Sequence, residues 1–158
     1  MQPAAVRYVT DWLLVASARS AARAMSVHHQ PVWRYEFTRA TWKVFGLPPI
    51  AGSFHSSEMV YALDNFANSP MKTSRYDATD QALRVAMSGA WVRFIKTGDP
   101  NGPDLVAWPI YDPKARQVME FGDKVFTRVE ANAAKLDAYD AVLAKLKADK
   151  HRPLLDWQ

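Results

Sequence analysis

Of the four histidines in this 158-residue chain, His55 is the one whose surroundings suit an imidazole that moves protons. It lies in Gly52-Ser53-Phe54-His55-Ser56-Ser57-Glu58-Met59, where small residues let a ring project from a loop and a carboxylate follows three positions later. A neutral imidazole so placed can take a proton from a hydroxyl nucleophile and return it to a leaving group. Spacing alone is a weak argument, because a lone loop histidine is more often a surface or hydrogen-bonded structural residue. His28 and His29 are adjacent and cannot share a helix face, and His151 sits in a polar tail. No metal-ligand pattern results, and the sequence calls for no metal and no cofactor.

A general base needs a nucleophile, and the chain offers none of the usual kind. The pattern G-x-S-x-G is absent; Gly98 to Gly102 has its span but carries Pro100 at the centre. Ser53, Ser56 and Ser57 adjoin His55 without an elbow or an oxyanion hole to activate them. The absence of cysteine excludes disulfides, thiol catalysis and thiolate metal sites.

The elements that must position His55 follow from periodicity. Ala4 to about Met25 reads as a helix, with Thr10 and Asp11 offering capping oxygens and Val6, Val9, Leu13 and Ala16 on one face. Val32 to Phe37 alternates: Trp33, Tyr35 and Phe37 form a face that packs, leaving Arg34 and Glu36 to pair with each other or meet solvent. A Gly- and Pro-rich run from Gly46 to Gly52 then leads to the histidine, followed by a helix from Ser57 to about Phe66 and a polar stretch from Ala67 to Arg75. The clearest helix runs from an Asp77 cap to Thr97, with Leu83, Met87, Ala90 or Trp91, and Phe94 inward and Gly98 at C′. Strands Gln117 to Phe121 and Val125 to Arg128 flank a Gly122-Asp123 turn, and Glu130 to about Lys150 is an amphipathic helix lined by Ala133, Leu136, Tyr139, Leu143 and Leu146.

Length and composition fit a single soluble domain, residues 1–158, with a C-terminal helix and tail over 130–158. No apolar run of about 18 residues could span a bilayer, so no membrane partner is expected. The net charge of +4 is concentrated in the first 50 residues, where six cations face only Asp11 and Glu36. These cations are dispersed singly rather than clustered into a stripe, which argues against nucleic acid. A solvated surface, or one that meets an acidic partner, is the expectation.

Several stretches occur together in one order: Thr10-Asp11 with Arg19 and Ala22, Pro31-Val32-Trp33-x-Tyr35-x-Phe37, Gly52-x-Phe54-His55-x-x-Glu58, Trp91-x-x-Phe94-x-x-Thr97-Gly98-Asp99-Pro100-Asn101, Trp108-Pro109-x-Tyr111-Asp112 and Met119-x-Phe121-Gly122. Over about residues 5 to 128 this resembles the C-terminal end of type-B carboxylesterases, the family of para-nitrobenzyl esterases and cholinesterases. The resemblance implies an α/β fold class: the C-terminal part of an α/β-hydrolase, with helices packed on a partial sheet. It implies that His55 is the general base of a Ser-Glu-His triad and that Glu58 supports the site from nearby without being the triad acid. The bland alternative for Glu58 is a carboxylate in the first turn of a helix, favoured by the helix dipole. The family's usual glycine after the histidine is replaced here by Ser56, and its oxyanion loop and triad glutamate are absent. The expectation is therefore the C-terminal part of a carboxylic ester hydrolase, inactive alone, whose partners are a carboxylic ester in the complete enzyme and a missing N-terminal half or a second copy. A non-catalytic binding or assembly module that keeps part of the scaffold is the alternative.

Overall fold

The computed structural model describes residues 10–40, 53–68 and 76–148. A π-helical turn, Asp11–Val15, runs into helix α1 (Ala16–Val27). Strand β1 (Tyr35–Phe37) and the short helix α2 (Met59–Ala62) flank the histidine loop, and the long helix α3 (Ala78–Thr97) follows. Strands β2 (Gln117–Phe121) and β3 (Val125–Val129) form a hairpin, and α4 (Ala133–Ala148) ends the described chain. The sheet order is β1-β2-β3, with β1 parallel to β2 and β2 antiparallel to β3. Among the described residues no helix is long and apolar enough to cross a membrane.

The core lies where α2 and α3 cover the sheet: Tyr61, Ala62, Leu83, Met87, Ala90, Trp108, Met119 and Phe121 are buried together. Trp33, Tyr35 and Phe37 pack against this cluster, as the alternation requires. The ladder nevertheless begins only at Tyr35. The extended backbone before it bonds to another segment, with Tyr111 N–H donating to the Val32 carbonyl at 2.7 Å and the Trp108 indole donating to the Arg34 carbonyl at 2.9 Å. Arg34 and Glu36 do not pair with each other, and only Glu36 keeps a substantially exposed side chain. Arg34 is buried against Glu130 at 2.6 Å, and Glu36 binds Arg128, which also holds Glu120.

α3 follows the expected plan. Asp77 and Asp80 exchange backbone-to-side-chain hydrogen bonds at 2.9 and 2.8 Å, and Gly98 closes the helix at φ 79°. Leu83, Met87 and Ala90 are buried, whereas Trp91 and Phe94 are substantially exposed. The other helices depart more from the periodic reading. α2 has four residues because Asp64, at φ 52°, ends it, with Asn65 N–H reaching the Val60 carbonyl at 2.9 Å and Asp64 N–H the Tyr61 carbonyl at 3.3 Å. The same arrangement ends α1: His29 stands at φ 56°, and Gln30 N–H reaches the Met25 carbonyl at 3.1 Å, giving this histidine a structural place.

Thr10 makes no capping bond because it is itself helical, and Asp11 accepts from Lys135 at 2.7 Å instead. The buried stripe of α1 is Ala16, Arg19 and Ala22, while Leu13 is exposed, since the wider π turn rotates residues away from a 3.6-residue face. Val6, Val9, the run from Gly46 to Gly52, most of the polar stretch up to Arg75, Lys150 and His151 lie outside the described residues.

α4 is held more by charge than by apolar area. Leu136 is fully buried, Ala133, Tyr139 and Leu143 are half-buried, and Leu146 is exposed. Across the α1–α4 contact Arg19 binds Asp137 and Arg23 binds Asp140, while Lys135 binds Asp11 of the π-helical turn and Arg116 meets Asp137 at 3.0 Å. The hydrogen bond from Arg19 holds the Asp137 carboxyl below the ordinary aspartate range. A depressed carboxylate contributes stability above its unfolded pKa of about 4, and that contribution is lost as pH falls through the folded value. Acidification from neutral pH should therefore loosen α4, with amide exchange in residues 133–148 accelerating below about pH 4. Exchange there that does not change on acidification below that pH would refute this.

Candidate functional site

His55 sits on a turn between β1 and α2, and the parallel pairing of β1 with β2 puts this connection after the carboxyl end of β1, where open α/β sheets carry ligands. The turn is tied at both ends. Ser53 Oγ donates to the Phe37 carbonyl at 2.7 Å, fastening the incoming chain to the strand. Phe54 N–H donates to Ser57 Oγ at 3.3 Å, and Ser57 N–H returns to the Phe54 carbonyl at 3.0 Å, closing a loop across His55 and Ser56. Phe54 packs on the core, Ser57 is buried, and His55 itself is exposed. Ser56 adopts φ 68°, the left-handed conformation that glycine enters without strain.

The other candidates divide. The hydroxyls of Ser53 and Ser57 are occupied in holding the turn, which removes both from consideration as a free nucleophile. Glu58 caps α2 without a side-chain capping bond, and among the described residues it makes no hydrogen bond to His55. Its carboxylate is felt instead by Tyr35, whose phenol is pushed up to about 12 by burial and, secondarily, by the Glu58 charge. Among the described residues no cluster of three or more His, Cys, Asp or Glu side chains could hold a metal.

Sequence reasoning missed the group that braces this turn. Arg39, just past β1, spreads its guanidinium over Asp80 at 2.8 Å, Asp77 at 2.8 Å and Asp123 at 2.6 Å. Tyr61 of α2 donates to the same Asp80 oxygen as Arg39, at 2.8 Å. The strand before His55 and the helix after it are thus locked to the start of α3 through one carboxylate. The signal available was the unmatched positive charge of the first 50 residues; its partners lie far along the chain. Neither a solvated surface nor a foreign acidic partner accounts for Arg19, Arg34 and Arg39, whose side chains are 0%, 8% and 12% exposed and paired within the chain.

The motif residues also explain one another. Asn101 accepts from Trp108 N–H at 2.8 Å and donates to the Trp108 carbonyl at 3.0 Å, while Asp99 holds Asn101 through bonds of 2.9 and 2.8 Å. This pins the segment after α3 to the tryptophan that bonds β1's approach. Gly122 is required because a Cβ there would meet Thr38 Oγ1 at 2.3 Å. A family model, that of the Carboxylesterase family, matches residues 1–139. The chain belongs to the carboxylesterase family. It is 29% identical over 116 residues to the para-nitrobenzyl esterase of Bacillus subtilis (strain 168), a match covering 72% of this chain and 22% of that relative. A solved PNB esterase superposes with a TM-score of 0.72 at 26% identity, over 85% of this chain and 26% of its own. A Geobacillus stearothermophilus carboxylesterase shares the fold, with a TM-score of 0.71 at 21% identity over 88% of this chain and 29% of its own. The chain is thus a C-terminal portion of a type-B carboxylesterase, with an α/β-hydrolase fold of helices on a small mixed sheet. It spans 22% of the length of the Bacillus esterase.

Two stability measurements test this construction of the carboxylesterase turn. Asp80→Ala leaves Arg39 and Tyr61 short of their shared acceptor and should cost about 3 kcal/mol in urea unfolding. Ser56→Val places a β-branched residue in the left-handed region and should cost ~1–2 kcal/mol, whereas Ser56→Gly should leave stability unchanged or slightly raised. Equal effects of valine and glycine would contradict the strained turn.

Proposed function

We propose that this carboxylesterase portion supplies the general base, His55, to a carboxylic ester hydrolase whose serine nucleophile, oxyanion donors and triad acid come from the part of the fold it does not span. The observation that carries the reading is the turn itself: an exposed imidazole after the carboxyl end of β1, in a loop anchored by Ser53 and Ser57 and with Ser56 at φ 68°. In the complete enzyme the neutral His55 ring takes the serine proton as the hydroxyl attacks the ester carbonyl. It then gives that proton to the departing alcohol, and repeats the exchange with water to release the acid. Glu58, three residues after His55, supports the turn from nearby in this reading and is not assigned as the triad acid.

The sequence carries no G-x-S-x-G motif, so in this reading His55 of the isolated chain has no serine elbow to serve. With a chromogenic short-chain ester the isolated chain should hydrolyse no faster than buffer, and His55→Ala should change nothing. Hydrolysis by the isolated chain that disappears in His55→Ala would overturn its dependence on a partner. When the chain is joined to a nucleophile-bearing portion of the family, His55→Ala should lower kcat by about 10²- to 10⁴-fold with the assembly intact. Full activity in that variant would remove His55 from the mechanism.

A further inference from the structure

Asn101-Gly102 is the one place in the sequence where asparagine precedes glycine; Asn65, Asn68 and Asn132 precede Phe66, Ser69 and Ala133. Asparagine is a thermolabile residue, and glycine after it leaves the next backbone nitrogen uncrowded by a Cβ. Once deprotonated, the Gly102 nitrogen can attack Asn101 Cγ: that C–N bond forms, the Cγ–Nδ2 bond breaks, and ammonia departs carrying the proton that the backbone gave up. Water then opens the five-membered imide at either carbonyl. Addition at Cγ leaves aspartate; addition at the main-chain carbonyl leaves isoaspartate, whose backbone runs through Cγ.

The fold calls for both residues. The Asn101 amide accepts from Trp108 N–H at 2.8 Å and donates to the Trp108 carbonyl at 3.0 Å and to Asp99 Oδ1 at 2.8 Å. An ionised aspartate has no donor with which to do the same. At Gly102 a Cβ would stand 2.7 Å from the Arg93 guanidinium, which is itself held by the Pro100 carbonyl and by Asp104, each at 2.9 Å. Asn101 and Gly102 are half-buried, so water reaches them. Their protection therefore comes from how the amide is held rather than from exclusion of solvent.

We propose that Asn101-Gly102 is a deamidation site guarded by the fold, at which an opening of the segment after α3 turns from a reversible event into a covalent one. In the folded chain the amide is fixed at its oxygen and its nitrogen, and turning Cγ onto the Gly102 nitrogen breaks its bonds to Trp108 and Asp99. The product does not fit back. A carboxylate at position 101 offers nothing to the Trp108 carbonyl and sets a second negative charge against Asp99, whose own carboxyl is held below the ordinary range by the Asn101 backbone and side-chain donors. Isoaspartate also lengthens the backbone at that point. The damage reaches the sheet, because the Trp108 indole donates to the Arg34 carbonyl at 2.9 Å where the chain enters β1, the strand before the His55 turn.

The test is peptide mapping by mass spectrometry of the full chain incubated at mildly alkaline pH, in buffer and in guanidinium chloride, with ammonia release followed in parallel. In denaturant Asn101 should convert to aspartate and isoaspartate ahead of Asn65, Asn68 and Asn132; in buffer its conversion should be slower by about tenfold or more, since reaction waits on local opening. Equal rates at Asn101 in the two conditions would overturn the guard, and another asparagine reacting first in denaturant would overturn the site. Gly102→Ala should slow the reaction severalfold in denaturant, where folding plays no part; an unchanged rate would mean that the Gly102 nitrogen is not the attacking atom. Asn101→Asp, which installs the aspartate product directly, should lower the thermal midpoint by about 3 °C or more or prevent folding. A midpoint equal to that of the unmodified chain would overturn the one-way step.

Discussion

The arginines of the first described segment are bound by carboxylates from well beyond it in the chain, and these long-range ion pairs fix how the parts of the molecule meet. Arg39 joins β1 to the start of α3 and to the β2–β3 turn through Asp80, Asp77 and Asp123. Arg34 and Arg19 converge on Glu130, at 2.6 and 3.4 Å, the second approach being an ion pair without hydrogen-bond geometry. Arg19 and Arg23 then reach Asp137 and Asp140 on α4. Burying such charges is unfavourable unless each finds a partner, so the pairs act as a condition on the fold: displacing either helix strands a desolvated guanidinium.

Apolar packing and these ion pairs divide the structure between them. The sheet, α2 and α3 share one aromatic-rich core, in which Tyr35, Trp108 and Phe121 meet edge to face at centroid separations of 5.5 to 6.0 Å. α1 and α4 stand outside it, joined to each other by charge with Leu136 as the fully buried apolar contact of α4. The histidine turn belongs to the first group. It leaves β1 through the Ser53 bond, is braced by Phe54 in the core, and enters α2, whose Tyr61 shares Asp80 with Arg39. An exposed imidazole is thereby carried on a backbone whose two ends are fixed by packed elements, the arrangement a general base requires if its ring is to meet a reacting proton reproducibly.

Most of the residues that carry the family resemblance serve the scaffold. Asn101, Asp99 and Trp108 form a closed set of hydrogen bonds, Gly98 ends α3, and Gly122 admits Thr38. Even Ser56, which departs from the family's glycine, keeps the left-handed backbone that glycine would adopt. These constraints are local and steric, so they leave short motifs of fixed spacing.

The sequence by itself determined α3 with its Asp77 cap and Gly98 end, the β2–β3 hairpin and the inward face of Trp33, Tyr35 and Phe37, because periodicity and capping chemistry act over a few neighbouring residues. It also marked His55 and, through ordered motifs, the α/β-hydrolase family. It overstated the strand at Val32 and the helix after Ser57, where extended backbone bonds outside the ladder and a left-handed Asp64 ends the helix early. Only the tertiary structure decided the partners of Arg19, Arg34 and Arg39, because an ion pair between residues as distant as 34 and 130 leaves no spacing to recognise. Tertiary packing likewise decided which stripes are covered, leaving Phe94 exposed beside Trp33 although its period matches buried Leu83, Met87 and Ala90. Helical period specifies a face; what covers that face depends on the surfaces brought against it.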